Sequence, residues 1–453
     1  MGLKYIEPVK SIILLLLILL SLTLTFTIWT YSPKYDTTEP PVVNISIAEK
    51  KKMEDVIKPY RLLISQPENL RGSYSIVDIN NVINPMKNWE IETVKLYSNN
   101  TNAGQVNELI NKPYTSTLFF QADIPIESYS TILKFLDPIF PNSSFNRLVI
   151  DWSSKSVDQR VEEKESDQGA TLYFISTTLN KIYTANVTKE DIFGFSERMV
   201  KTSNAMLEYK EIVREGKLSL YTTSNPEKVV QYTYLVEEID TNRFKDALFN
   251  IPSLVVRRSN PVGSGEQYTD DNALMTVDPI SKRLSYVHPA SEGEFLGKSS
   301  ELLYNSLSFV NEHDGWTDDY RFSRMNKNAS QVNYQLYFDG LPVFSKDMLT
   351  TEIVQVWGSN RVYRYNRPYY TLNALPITST DLELPSGQNA YELLSLAPNS
   401  QVSLIEDLVQ GYYISKDEDQ PLFTLVPSWY YQVNGSWLRL SPETIGGGTY
   451  GLE

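Results

Sequence analysis

Residues 11–31 read S-I-I-L-L-L-L-I-L-L-S-L-T-L-T-F-T-I-W-T-Y, a run with no charge. As a helix rising about 1.5 Å per residue, such a run spans about 30 Å, the thickness of a bilayer core. Lys4 and Lys10 precede it, and basic residues stay on the cytoplasmic side. Trp29 and Tyr31 suit the opposite interface, where aromatic side chains gather. A cleaved signal peptide needs a shorter apolar core and small residues at its cleavage site. The exit T-I-W-T-Y-S (27–32) is bulky instead, so the run is expected to be retained as a single-pass anchor. Within it, Ser21 and Thr25 lie four apart, as do Thr23 and Thr27, so each pair shares a face. Small hydroxyl residues at that spacing let a second helix approach. Alternatively, each hydroxyl bonds its own helix's carbonyl four residues back.

The remaining chain is large and acidic. Of a net charge of −14 over 453 residues, Lys4, Lys10 and Glu7 give +1 before the run, leaving −15 after it. Such a domain repels nucleic acid and anionic headgroups, so nucleic-acid binding is not expected. The chain has no cysteine, which excludes disulfides, thiolate catalysis and cysteine metal sites. Tyrosine is abundant, 30 against 17 Phe and 7 Trp, and suits strands that are half buried.

Apolar patterning beyond the anchor predicts an α+β architecture. The expected division is 1–10 cytoplasmic, 11–31 transmembrane and 32–46 a proline-bearing spacer. Three mixed domains with antiparallel sheets and packed helices then cover 47–205, 206–298 and 299–442, and 443–453 is a tail. A short helix is expected over 48–58, stopped by Pro59. Strands are expected at 117–122, 147–152, 171–176 and 181–187, with helices over 128–136 and 192–204. Asp240 or Thr241 is placed to cap a helix running to Phe249. A further helix covers 300–310, and Asp339-Gly340 and Asn434-Gly435 mark hairpins.

The chemistry of most enzyme classes is missing. There are two histidines, His288 and His313, and no G-x-S-x-G, S-x-x-K or H-E-x-x-H motif accompanies them. Both are read as structural. The pairs Glu237-Glu238, Asp270-Asp271 and Asp318-Asp319 point to opposite faces of any strand, which is poor geometry for a carboxylate dyad. Asp417, Glu418 and Asp419 lack calcium-loop spacing. No catalytic residue, cofactor or metal site is expected. One stretch, V-Y-R-Y-N-R-P-Y-Y (362–370), has the Tyr and Arg content of protein interfaces. Tyr363, Tyr365, Arg367 and Tyr369 are therefore candidates for a partner surface, the plain alternative being an ordinary two-faced strand.

The segment K-S-I-I-L-L-L-L-I-L-L-S-L-T-L-T-F-T-I-W-T-Y-S-P (10–33), with its I-W-T-Y-x-P exit, resembles the start of the YycH family. Pro427-Ser428-Trp429 with Asn434-Gly435 is similar to the end of that family and of its sister family YycI. The resemblance implies three extracytoplasmic α+β domains. It also implies an accessory regulator of the essential WalK (YycG) histidine kinase, acting on cell-wall homeostasis in Gram-positive bacteria. The implied partners are that kinase and a YycI-like single-pass protein, met through transmembrane helices and outer domains; the four-residue spacing of Ser21 and Thr25 makes their face the expected helix contact. The alternative is a wall-associated module that binds a ligand or peptide without touching a kinase.

Overall fold

The computed structural model describes residues 6–30, 48–153, 169–188, 192–259, 265–313, 315–345, 349–372, 375–396, 402–417 and 419–440. The chain forms two units, Met1–Val43 and Asn44–Glu453. The first contains one helix, Ile6–Thr30. Its side chains are described over 13–26, all exposed, a stretch shorter than a bilayer span. Among the described residues no helix is long and apolar enough to cross a membrane. The Trp29 side chain, Tyr31 and the expected spacer fall outside what is described.

In the second unit, nine antiparallel strands form one sheet. Their order is Leu220–Thr223, Leu207–Ile212, Leu70–Ser73, Arg61–Ser65, Thr115–Pro125, Ser144–Asp151, Thr171–Ser176, Lys181–Asn186 and Lys95–Ser98. The central strands are apolar on consecutive residues because both faces are covered. Leu62, Ile64, Leu118, Leu148 and Leu172 face a core shared with Ile79 and Met86 of the helix Ile76–Met86 and Phe195 of the helix Ile192–Ser203. Leu63, Phe119 and Val149, between them in sequence, face a second core with Val106 and Ile110 of the helix Ala103–Asn111. That core also takes in Tyr337, Val409 and Tyr430 from a second sheet.

The second sheet has fourteen strands between Glu227 and Arg439. Its ladders are antiparallel except where Leu341–Phe344 runs alongside Ile405–Lys416. The helix Ser299–His313 buries Leu302, Leu303, Leu307 and Val310. Residues on both sides of Ser299 pair within this sheet, and the first sheet runs on through Thr223. Both expected hairpins are present: Phe338 faces Leu341 and Val433 faces Ser436. Asp339, Gly340, Asn434 and Gly435 have φ of 48°, 80°, 50° and 71°, the left-handed region that Asn, Asp and Gly tolerate. Asp240 caps Thr241–Leu248 by accepting from Asn242 N–H.

Two expectations fail locally. The helix expected over 128–136 is only the turn Ile126–Tyr129, followed by the strand Lys134–Phe135, which pairs with Glu90–Ile91. The helix expected over 48–58 is reduced to Met53–Val56, because the residues before it are held elsewhere.

A buried ion pair ties the two sheets together. Arg61, in the first sheet, donates through Nη1 and Nη2 to Asp407 Oδ1, both at 3.2 Å, and through Nη2 to Leu408 O at 2.8 Å. Tyr60 OH donates to the other Asp407 oxygen. Arg61 is 4% exposed and Asp407 6%. Burial by itself would lower the Arg61 pKa, but the Asp407 charge outweighs it and the guanidinium is held more firmly charged than usual. Burial and the same carboxylate push the Tyr60 hydroxyl upward. Removing one member strands a buried charge, so Asp407→Ala is expected to lower the unfolding free energy by about 3–5 kcal/mol. Adding Arg61→Met should recover most of the loss in denaturant titrations, and a double variant no more stable than the single would refute this account.

Candidate functional site

The stretch 362–370 is not a surface. Val362–Pro368 is a central strand, paired with Arg283–Val287 on one side and Glu352–Trp357 on the other. Tyr365 lies under the helix Ser299–His313, its ring 5.2 Å from that of Phe309. Arg367 is fully buried and donates to Gly315 O at 3.1 Å, Thr317 Oγ1 at 2.9 Å and Pro368 O at 3.1 Å. Tyr369 is buried beside Lys282. Of the four candidates only Tyr363 stays half exposed, although Arg364 and Asn366 beside it also reach the surface. The partner surface expected there is therefore corrected: Tyr365, Arg367 and Tyr369 are interior packing, and their interface-like composition serves the core.

Both histidines have structural partners. His288 Nδ1 bonds Ser291 Oγ at 2.8 Å, and burial, with Arg361 nearby, lowers its pKa. His313 bonds Phe309 O and stacks on that ring at 4.1 Å. Among the acidic pairs, Asp270 caps a turn and Glu238 pairs with Lys282. Asp417 accepts from the amides of Asp419 and Gln420.

In the helix Ile6–Thr30, Thr25 Oγ1 donates to Ser21 O at 2.9 Å and Thr23 Oγ1 to Leu19 O at 2.7 Å. Of the two geometries open from sequence, the threonine protons adopt the intrahelical one. Their oxygens, and that of Ser21, still face outward and can accept.

The second unit carries a clasp near its start. Lys51 N–H donates to Asn311 Oδ1 at 2.9 Å, and Asn311 Nδ2 donates back to Lys51 O at 2.8 Å. Trp316 Nε1 reaches the same Oδ1 at 2.8 Å, while Trp316 N–H donates to Glu49 O at 3.1 Å. Gly315, at φ 71°, lets Ala48 in: a Cβ there would sit 2.3 Å from Ala48 O. Lys51 Nζ donates to Asp318 O at 2.9 Å and lies 3.7 Å from Asp319 Oδ1. The chain following the spacer is thus stitched to the end of the helix Ser299–His313 and the start of the strand Asp319–Asn326, some 260 positions away. These contacts need residues 48–51 extended, which explains the missing helix.

Behind the clasp sit unusual charges. Asp318 Oδ1 accepts from Leu372 N–H at 2.8 Å and Thr371 Oγ1 at 3.1 Å, whereas its Oδ2 is buried with no hydrogen-bond partner. Burial outweighs these bonds and pushes its carboxyl up to about 6. Burial would also raise Asp319, but the Arg321 guanidinium at 2.8 Å holds it low.

A second feature is a cleft of about 2060 Å3 between the two sheets. On one wall Phe344 packs 4.4 Å from Tyr430 and 5.8 Å from Trp437, and Arg439 lies 4.1 Å over the Tyr413 ring. Gln121, Asn146 and Arg147 of the first sheet also line it. Neither clasp nor cleft is visible in sequence, since each joins residues hundreds of positions apart without a motif.

Two family models cover this arrangement: the YycH protein N-terminal domain matches residues 7–204 and the C-terminal domain matches 217–443. The chain belongs to the YycH family. A curated YycH relative, the two-component system WalR/WalK regulatory protein of Bacillus subtilis (strain 168), is 23% identical over 459 residues, covering 97% of each chain. The crystal structure of YycH from Bacillus subtilis superposes with a TM-score of 0.73 at 20% identity, over 88% of this chain and 100% of that one. The YycH fold is therefore shared along nearly the whole chain.

The raised Asp318 pKa has a direct consequence. Its native value of about 6 exceeds the ordinary 3.8, so the native state holds this proton more tightly. Its ionisation destabilises the fold as pH rises from about 4 to 6, by at most about 3 kcal/mol. Asp318→Asn is expected to match the wild type near pH 4 and exceed it in unfolding free energy at pH 7. A difference that stays flat between those pH values would show that Asp318 does not titrate in this way.

Proposed function

We propose that this chain is a membrane-anchored, extracytoplasmic accessory regulator of a histidine kinase, working in complex with that kinase and a YycI-like single-pass protein. The observation that carries the reading is the end-to-end match to a protein named as a WalR/WalK regulator. The chain is a regulatory protein of a two-component system and not an enzyme.

In this reading residues 11–31 cross the membrane, with residues 1–10 in the cytoplasm. The 25-residue helix, at about 1.5 Å per residue, is longer than the roughly 30 Å of a bilayer core. A regulator built this way shifts the kinase between states only by the difference in its affinity for them. The clasp supplies a route for that difference, because residues 48–51 follow the spacer and are pinned to the second sheet. Ser21 and Thr25 offer the kinase or partner helix a small, hydroxyl-lined face.

Replacing Ser21 and Thr25 together with Leu is expected to reduce co-purification with the kinase. Unchanged recovery and unchanged kinase output would remove this face from the complex. Asn311→Ala, which removes the three hydrogen bonds to Lys51 and Trp316, should leave kinase binding in place but weaken its effect on kinase output. Equal output in wild type and variant would rule out the clasp as the route.

The cleft favours a second reading, a binding module that needs no kinase. Exchanging the helix Ile6–Thr30 for an unrelated anchor separates the two. A regulator acting through its helix loses control of the kinase, whereas a binding module keeps its ligand and its effect.

A further inference from the structure

The cleft carries charge of the wrong sign for its surroundings. In a chain of net charge −14, six basic and four acidic side chains line it. One of the acids, Asp407, already faces the buried Arg61. Arg147 donates to Phe120 O and Asn146 O, Arg214 to Leu218 O and Ile405 O, and Lys217 to Ser403 O. These acceptors are neutral, so they position the cations without cancelling their charge. Arg283 and Arg324 are exposed at the rim. Elsewhere the acidic chain repels anions; here it gathers positive potential in a recess, where low-dielectric walls focus it.

The size and polarity of the cleft narrow the occupant. Its volume of about 2060 Å3 is well above the roughly 300–1,000 Å3 of small-molecule pockets, which points to a polymer segment. Asn102, Asn146, Asn180 and Gln432 line it, and side-chain amides offer both donors and acceptors. A polypeptide backbone presents N–H and C=O in alternation, whereas a phosphodiester backbone offers only acceptors. The shelf of Phe344, Tyr430 and Trp437 accepts apolar side chains, and arginine forks match carboxylates.

We infer that this cleft binds an extended acidic segment of another polypeptide, with carboxylates on its arginines and apolar side chains on the aromatic shelf. This goes beyond the regulator reading and stands or falls without it, since the test contains no kinase.

The test uses the purified full-length chain in detergent micelles and a short labelled peptide of Glu, Ser and Leu. Its comparators are the same peptide with Gln for Glu and a glycerol-phosphate oligomer. Saturable binding of the Glu peptide, at least roughly tenfold tighter than the Gln peptide and weakened by salt, is expected. Arg324→Gln and Arg283→Gln should each weaken it by about threefold to tenfold, with the thermal unfolding midpoint unchanged. Equal affinity for the Glu and Gln peptides overturns the proposal, as does binding of the phosphate oligomer but not the peptide. Folded Arg324→Gln and Arg283→Gln proteins that bind the Glu peptide like wild type would also overturn it.

Discussion

Arg61 and Asp407 lie 346 positions apart and meet where almost no water reaches them. The pair is not chiefly a source of stability, because desolvating two charges consumes most of what their attraction returns. Its consequence is uniqueness. The carboxylate is surrounded by Tyr60 OH, two guanidinium nitrogens and the Leu408 amide. Sliding one sheet past the other would strand a buried charge and several polar groups together. Hydrophobic contact between Phe119, Tyr337 and Tyr430 brings the sheets together; the ion pair selects one of the arrangements such contact permits. The cleft inherits its shape from that choice, since Tyr60 and Asp407 are part of its lining.

What was legible in the sequence followed from local chemistry. Asp339-Gly340 and Asn434-Gly435 declared their hairpins because few other residue pairs adopt positive φ at both positions. Four of the nine first-sheet strands, Thr115–Pro125, Ser144–Asp151, Thr171–Ser176 and Lys181–Asn186, were visible as apolar, β-branched or aromatic runs, and Ser299–His313 by its helical spacing. The stretch 362–370 was misread for a physical reason. Tyr and Arg are enriched at interfaces, but a core that satisfies their polar ends holds them too, and composition does not distinguish the two. Arg367 carries its charge inside, held by Gly315 O, Thr317 Oγ1 and Pro368 O. The residues at 48–51 were misread for another reason. Their helix propensity is real, but two hydrogen bonds with Asn311 and the ladder contact of Glu49 with Trp316 outweigh it. No feature of residues 48–51 announces a partner 260 positions away.

The clasp also shows how polar groups are spent near the start of the second unit. Asn311 is a complete adapter, accepting twice through its oxygen and donating through its nitrogen. Behind it Asp318 keeps one oxygen unpartnered, and one Arg321 nitrogen is in the same state. Unsatisfied buried groups are costly in an otherwise well-packed region. The clasp is thus a local set of hydrogen bonds, unlike the extended apolar cores that hold the sheets.

That difference matters for a regulator. Allosteric coupling is commonly about 1–3 kcal/mol, the scale of one or two buried hydrogen bonds to charged groups. The clasp holds interactions of this size, while the two apolar cores hold more. In the proposed reading the labour is divided accordingly: the pair of sheets keeps the cleft in shape, and the seam at residues 48–51 is the route by which the second unit acts on the rest of the chain.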